Sequence, residues 1–332
     1  MSTNPQISYR MLTPLVRIKI NTSEKLHFHL NDQLQIIIND KTVFPQWNNM
    51  QVDVGQTTQI LPGISAMSFN RDPLLLALCP FVDDYPDAAT RILDFLLKGF
   101  ALFKTTLDTK FKLGPRIVHT LDSTPNIRSL NLRGSDDFSE FTGKIYEINM
   151  SELKMFKDFY SQFESQLNQI TDKKFLESLE FFTKATRTSN DIEKFIFLSI
   201  SFEFLFSKED SELSYRFSNR IALLLGDDSV DRIRIGKVIK NVIYRQRSKI
   251  IHGASVVTPP KDILQYFFEV MRISLLRFIS LYRAGHVDPI SELDSFLLLQ
   301  DTTEYEKFRN DAVSLFDDLS NLKFNMIRTK VS

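Results

Sequence analysis

The chain has 332 residues, with 41 Lys plus Arg against 41 Asp plus Glu, so its formal net charge is zero. That balance excludes a global pull onto nucleic acid or an anionic surface, and any polyanion binding has to be local. The length allows about two domains, each with its own core.

Phenylalanine is abundant, at 29 residues. The single cysteine, Cys79, lies in the apolar run Leu74–Cys79 and excludes an intrachain disulfide, which fits a reducing, cytoplasmic setting. No basic or histidine neighbour is at hand to lower its pKa. The N-terminus lacks a basic stretch leading into an apolar one, so no signal peptide is expected. The apolar stretch 195–206 is too short to span a bilayer and contains Glu203, so no membrane partner is expected.

Residues 1–148 read as an α+β domain. Residues 15–20 alternate apolar and basic side chains, as a half-buried strand does. Residues 26–30 and 33–38 flank Asn31-Asp32 and predict a hairpin. Residues 116–119 and 144–148 are further strand candidates. A helix over 87–105 carries Ile92, Phe95, Leu96 and Phe100 on one side. His27 and His29 share a strand face, but no third ligand follows at sensible spacing, so a plain strand face is favoured over a metal pair. No metal and no cofactor is expected.

Residues 149–332 read as an all-α bundle. Helical periodicity covers 150–170, 173–187, 190–206, 212–225, 231–252, 261–283 and 304–319. Asn190, three residues before Glu193, is a capping-box-like start. Gly226 reads as a helix C-terminal cap, and Asp228 as the cap of the next helix. Gly253 ends another helix and Pro259-Pro260 restarts the chain. The tail from Asp288 looks helical, able to close the bundle or brace the first domain.

The helix 231–252 carries the charge. Arg232, Arg234, Lys237, Lys240, Arg245, Arg247 and Lys249 occur there with no acidic residue from 232 to 249. Its apolar side is Ile235, Val238, Ile239, Val242, Ile243 and Ile250. The cationic side suits a phosphate backbone, or equally a solvated face paired with neighbouring carboxylates. Its end, Tyr244-Arg-Gln-Arg-Ser-Lys-Ile-Ile-His-Gly253, joins phosphate-holding arginines to a histidine able to exchange a proton near neutral pH. At about 100° per residue, His252 lies close to Arg245 on the wheel and about 140° from Arg247. A site built from Arg247 and His252 therefore needs distortion near the helix end or a second chain.

Glu203 sits among Phe202, Phe204, Leu205 and Phe206 and needs a partner. Arg216 or Arg220 on the next helix offers one, and the structural ion pair is favoured over a catalytic glutamate. Support for Arg247 or His252 lies between those readings. His119 and His286 have no basic or carboxylate constellation around them and receive no function.

Residues 173–283 resemble the Apea-like branch of the HEPN superfamily, whose helical domains are named for higher eukaryotes and prokaryotes nucleotide-binding. Three segments carry the likeness: Phe195-Ile-Phe-Leu-Ser-Ile-Ser-Phe-Glu-Phe-Leu-Phe206, then 212–226, then 244–253. The family's nuclease signature is an Arg and a His separated by four to six residues. Arg247 meets it with four and Arg245 with six. Ser248 stands where many members carry a small or polar residue.

The resemblance implies an HEPN-like bundle and a metal-independent endoribonuclease, cutting RNA to 2′,3′-cyclic phosphate and 5′-hydroxyl ends. It implies a homodimer with a composite cleft, in the setting of bacterial defence or a toxin. Carried over, His252 is the general acid/base and Arg247 stabilises phosphoryl charge, with Glu203, Ser248 and Arg245 in support. Lys237, Lys240, Tyr244 and Lys249 would contact RNA. The first domain would sense a trigger, restrain the nuclease, or hold a regulatory protein or ligand. The alternative is a non-catalytic HEPN scaffold that binds RNA, nucleotide or protein.

Overall fold

The structure is a computed structural model. It describes residues 9–16, 18–20, 26–30, 34–38, 52–54, 57–59, 74–79, 85–104, 107, 112–113, 117–120, 146–208, 213–251, 258–299, 302–313 and 315–316. It is mostly helical, with a small antiparallel sheet near the N-terminus. Two compact units divide the chain: Met1–Leu97 with Asp108–Ser161, and Lys98–Leu107 with Gln162–Ser332. The division runs through two helices, Tyr85–Phe103 and Met150–Leu167.

In the first unit, β1 (Tyr9–Val16) is an inner strand of the sheet. It pairs antiparallel with β7 (Leu74–Cys79), β8 (Lys112–Leu113) and β9 (Ile117–Thr120). The expected hairpin is present as β3 (Leu26–His29) and β4 (Leu34–Ile38), with Leu26 opposite Ile38 and His29 opposite Gln35. Leu30, Leu34 and Ile36 are buried there. β4 also pairs with β7, so the apolar run around Cys79 is an inner strand between β4 and β1. The expected strand over 15–20 is split, because β1 ends at Val16 and β2 (Ile18–Ile20) pairs in parallel with β10 (Tyr146–Ile148). β5 (Val52–Val54) and β6 (Thr57–Gln59) form a separate two-stranded ladder.

Helix α1 spans Tyr85–Phe103, close to expectation, and buries Leu96 and Phe100 through Phe103. Helix α2 (Met150–Leu167) opens with a reciprocal capping box. The Asn149 amide donates to Glu152 and the Glu152 amide donates to Asn149 Oδ1, both at 2.9 Å. Its buried residues Leu153, Phe156, Tyr160, Phe163 and Leu167 recur at helical spacing.

The second unit is built around α8 (Lys261–Ala284), in which every residue from Tyr266 to Leu281 is buried. A helix buried all round is a core element, and the phenylalanines gather on it. Phe267 packs on Phe195 and Phe202, Phe268 stacks on Phe182, and Phe278 meets Phe206 edge-on. Those partners come from α3 (Lys173–Arg187) and α4 (Asp191–Phe206). Asp172 caps α3 and Asn190 caps α4, each accepting from two backbone amides. The two helices form a tight hairpin. Ser178 and Ser201 exchange hydroxyl-to-carbonyl bonds across it, both 2.7 Å, and small side chains permit that approach.

Helices α5 (Leu213–Leu225), α6 (Ser229–Val238), α7 (Tyr244–Ile251), α9 (Pro289–Leu299) and α10 (Thr302–Val313) complete the unit. Helix ends are closed by side chains from far along the chain, which supply donors to orphan carbonyls. At the end of α4, Arg220 donates to the Phe206 carbonyl and Lys174 to that of Ser207 (2.9 Å). At the end of α5, Arg277 donates to Leu224, Tyr305 to Leu223 (2.7 Å) and Arg309 to Asp227 (2.8 Å).

Two local expectations change. Gly226 is not a left-handed cap. A Cβ there would lie 2.5 Å from Arg232 Cγ and 2.8 Å from the Ala222 carbonyl oxygen, so glycine is required by close approach. The left-handed cap is Gly285 (φ 96°), which closes α8. His286 does have carboxylate neighbours: its Nδ1 faces Glu292 at 2.7 Å and its Nε2 faces Asp311 at 3.1 Å. Gly253 lies outside the described residues.

Candidate functional site

The expected helix 231–252 is one helical run of three parts. Helix α6 passes into a π-helical turn, Ile239–Ile243, and then into α7. Asp228 caps the run by accepting from the Asp231 amide at 2.8 Å. Ile235, Val238, Ile239 and Ile243 are buried, so the expected apolar side faces the bundle there, while Val242 and Ile250 are only half-buried.

The π turn decides where Arg247 points. Ile235, Ile239, Ile243 and Arg247 follow one another at four-residue spacing. In an uninterrupted α-helix Arg247 would sit about 120° round from Ile235. An i→i+5 turn takes up roughly one extra residue and cuts that offset to about 20°. The guanidinium is thereby carried on the buried side.

There it meets Glu203. Arg247 Nη2 forms an ion pair with Glu203 Oε1 of α4, with the two side chains 22% and 31% exposed. The Tyr244 ring lies 5.7 Å from the guanidinium carbon, in cation–π range. Arg247 Nε is buried with no hydrogen-bond partner among the described residues. Ser199, Phe202, Phe217, Ile239, Ile243 and Phe267 line the adjoining pocket together with Glu203, Tyr244 and Arg247. It offers about 10 Å³ to the centre of a water molecule, room for about one water.

The expected partners of Glu203 are thus corrected. Arg220 instead grips Asp294 of α9 through Nε (2.7 Å) and Nη2 (2.6 Å). Arg216 is exposed. The glutamate's aromatic surroundings allow an ion pair on the side facing α7, and Arg247 fills that place.

Of the other residues singled out, Lys237, Lys240, Arg245 and Lys249 are exposed, and Tyr244 and Ser248 are half-buried. Tyr244 serves Arg247 rather than standing free in solvent. His252 lies outside the described residues. The π turn precedes Arg245, Arg247 and His252 alike, so it leaves the relative directions of Arg245 and Arg247 unchanged. Sequence reasoning missed the aromatic floor of the pocket, whose Phe217 and Phe267 lie on α5 and α8. It gives no role to Tyr215 of α5, whose exposed ring has Lys240 Nζ 5.9 Å from its centroid.

Among the described residues, no group of three or more His, Cys, Asp or Glu side chains is placed to hold a metal ion. No described helix is long and apolar enough to cross a membrane. No protein-family model, curated protein or solved structure matches the chain.

Proposed function

We propose that the chain is an RNA-directed, metal-independent endoribonuclease of HEPN type, with Arg247 as its phosphate-facing cation. The observation that carries this reading is the Glu203–Arg247 pair. Two ionisable residues singled out by separate sequence segments meet on facing helices beside a small pocket. An arginine fixed by a carboxylate presents its remaining donors in a set direction, which is how charge on a transferring phosphoryl group is stabilised.

In the reaction proposed, the RNA 2′-hydroxyl loses its proton to a base and attacks the neighbouring phosphorus. The P–O5′ bond breaks and the 5′ oxygen takes up a proton, leaving a 2′,3′-cyclic phosphate and a 5′-hydroxyl. His252 handles the protons, Arg247 balances charge on the non-bridging oxygens, and Glu203 holds Arg247 in position. Ser248 and Arg245 support the site, and Lys237, Lys240 and Lys249 guide the backbone. A homodimer would place Arg247 of one copy beside His252 of the other. The first unit would sense a trigger or hold a regulatory partner, as befits a cytoplasmic defence effector or toxin.

The second reading is a non-catalytic scaffold binding RNA, nucleotide or protein. It is favoured by the Arg247 guanidinium being already engaged by Glu203 beside a pocket with room for about one water.

Cleavage of RNA in EDTA separates them, with wild type beside His252→Ala and end-group analysis of products. Cyclic-phosphate ends made by wild type alone support the nuclease. Equal cleavage by both overturns the assignment to this site, and intact RNA with both favours the scaffold.

A further inference from the structure

We infer that Tyr215 and Lys240 form a base-stacking platform for single-stranded RNA, extending the Arg247 site along the helical run. The inference rests on the RNA-directed reading above and names the strand form and the contact residue.

Tyr215 is 68% exposed, and among the described side chains it is the one exposed aromatic. Isolated exposed apolar residues are ordinary, so exposure alone says little. Its surroundings say more. Helices α5 and α6 cross closely at Gly236, where a Cβ would lie 3.6 Å from the Ser218 carbonyl oxygen and 3.8 Å from Ala222 Cβ. Ser218 is one turn on from Tyr215, and Lys240 is one turn on from Gly236. The crossing therefore sets the ammonium of Lys240 over the ring, 5.9 Å from its centroid.

Lys237 and Arg216 are also exposed on these two helices, and the run from 232 to 249 has no acidic residue. Every base has a π face, so an aromatic ring beside cations accepts successive unpaired nucleotides without regard to sequence. A base in a duplex is already stacked, so the platform selects single strands. Lys240 sits at the second position of the π turn, and Tyr244 and Arg247 follow it on the same run. A strand stacked on Tyr215 and tracked by Lys240 would be led toward Arg247.

A second copy of the chain is the competing occupant, because Val230 and Ile233 of α6 are 73% and 58% exposed. A two-fold contact would set this face against itself. Lys237, Lys240 and Arg216 would then oppose their own copies, and like charges in apposition disfavour that contact. RNA meets the same cations with opposite charge.

The test uses the full chain carrying His252→Ala, so that RNA stays whole, with a labelled oligouridylate followed by fluorescence anisotropy. Tyr215→Ala should weaken binding roughly tenfold or more, while Tyr215→Phe stays within about twofold of the parent. An unlabelled RNA duplex should compete poorly. Equal binding by the parent and Tyr215→Ala overturns the platform and leaves the RNA-directed reading standing. Absence of binding by the parent overturns both. Reduced self-association of Tyr215→Ala in sedimentation, with RNA binding unchanged, overturns the platform and assigns the face to a second copy.

Discussion

Arg247 Nη2 rests on Glu203 Oε1, joining α7 to α4 across an aromatic-floored pocket. Neither partner is well hydrated, so each alone would leave the other's charge poorly solvated. Glu203→Gln and Arg247→Met should each lower stability by about 1–3 kcal/mol. The double variant should cost less than their sum, with a coupling of about 0.5–3 kcal/mol in urea unfolding. Strict additivity would show that the pair contributes no net coupling.

Deleting the exposed Asn241 should convert the π turn into ordinary α-helix with eleven steps from Ile235 to Arg247, an offset of about 20°, so α7 keeps its direction. Arg247 would then stay on Glu203. In that background, Glu203→Gln should still cost about 1–3 kcal/mol. An effect below about 0.5 kcal/mol would mean that the π turn does more than absorb one extra residue.

Two glycines on or beside one helix should respond oppositely to alanine. Gly226→Ala places a methyl 2.5 Å from Arg232 Cγ and 2.8 Å from a backbone oxygen, so a loss of about 1–3 kcal/mol is expected. At Gly236 the nearest atoms are 3.6 and 3.8 Å away, so alanine should be neutral or stabilising by up to about 1 kcal/mol. Thermal unfolding of the two variants checks the contrast.

His286 ties the end of α8 to α9 and α10 through Glu292 and Asp311, with its ring edge-on to Phe308. His286→Ala strips a partner from both carboxylates and should cost about 1–3 kcal/mol. Hydrogen exchange should show the loss first in Thr302–Val313. Unchanged protection there would place the attachment of α10 elsewhere.

Asp288 opens α9, accepting from the Ser291 amide at 3.0 Å and from the Ser291 hydroxyl. Burial alone would raise its pKa, but the Ser291 bonds and nearby Lys208 outweigh that and hold it below the ordinary value. A carboxyl whose folded pKa is depressed adds stability above its unfolded pKa and loses it as pH falls through the folded one. Asp288→Asn should therefore narrow the gap to wild type as urea midpoints are followed into acid. A gap that stays constant with pH would exclude Asp288 as a source of acid sensitivity.

Local chemistry was readable from the chain and distant pairing was not. α3 falls on its expected residues because Asp172 caps it and its apolar positions repeat at helical spacing. The β3–β4 hairpin follows from two apolar runs around Asn31-Asp32. By contrast, Arg220 was expected to serve Glu203 because it lies on the next helix, yet it turns to Asp294, 74 positions away. One of the two carboxylates around His286 is likewise distant, Asp311 at 25 positions. The separate helix at Pro289–Leu299 has a local signal in Asp288 followed by Pro289, a cap and a first-turn proline, within a tail expected only to be helical. The π turn left one trace, the unbroken four-residue spacing from Ile235 to Arg247, which is a stripe that a regular helix would carry off its buried side.

The carbonyl closures at the ends of α4 and α5 have a consequence for biosynthesis. A ribosome makes residues 191–225 before 277, 305 and 309, so the end of α5 emerges without the donors that finish it. Asp294, which clasps the arginine sealing α4, also comes late. A nascent chain paused before α9 would already hold Lys174, Arg220 and Arg277 but would lack Asp294, Tyr305 and Arg309, with the cationic run already made. Synthesis of α9 and α10, rather than formation of the earlier helices, would then be the step that fixes this part of the protein.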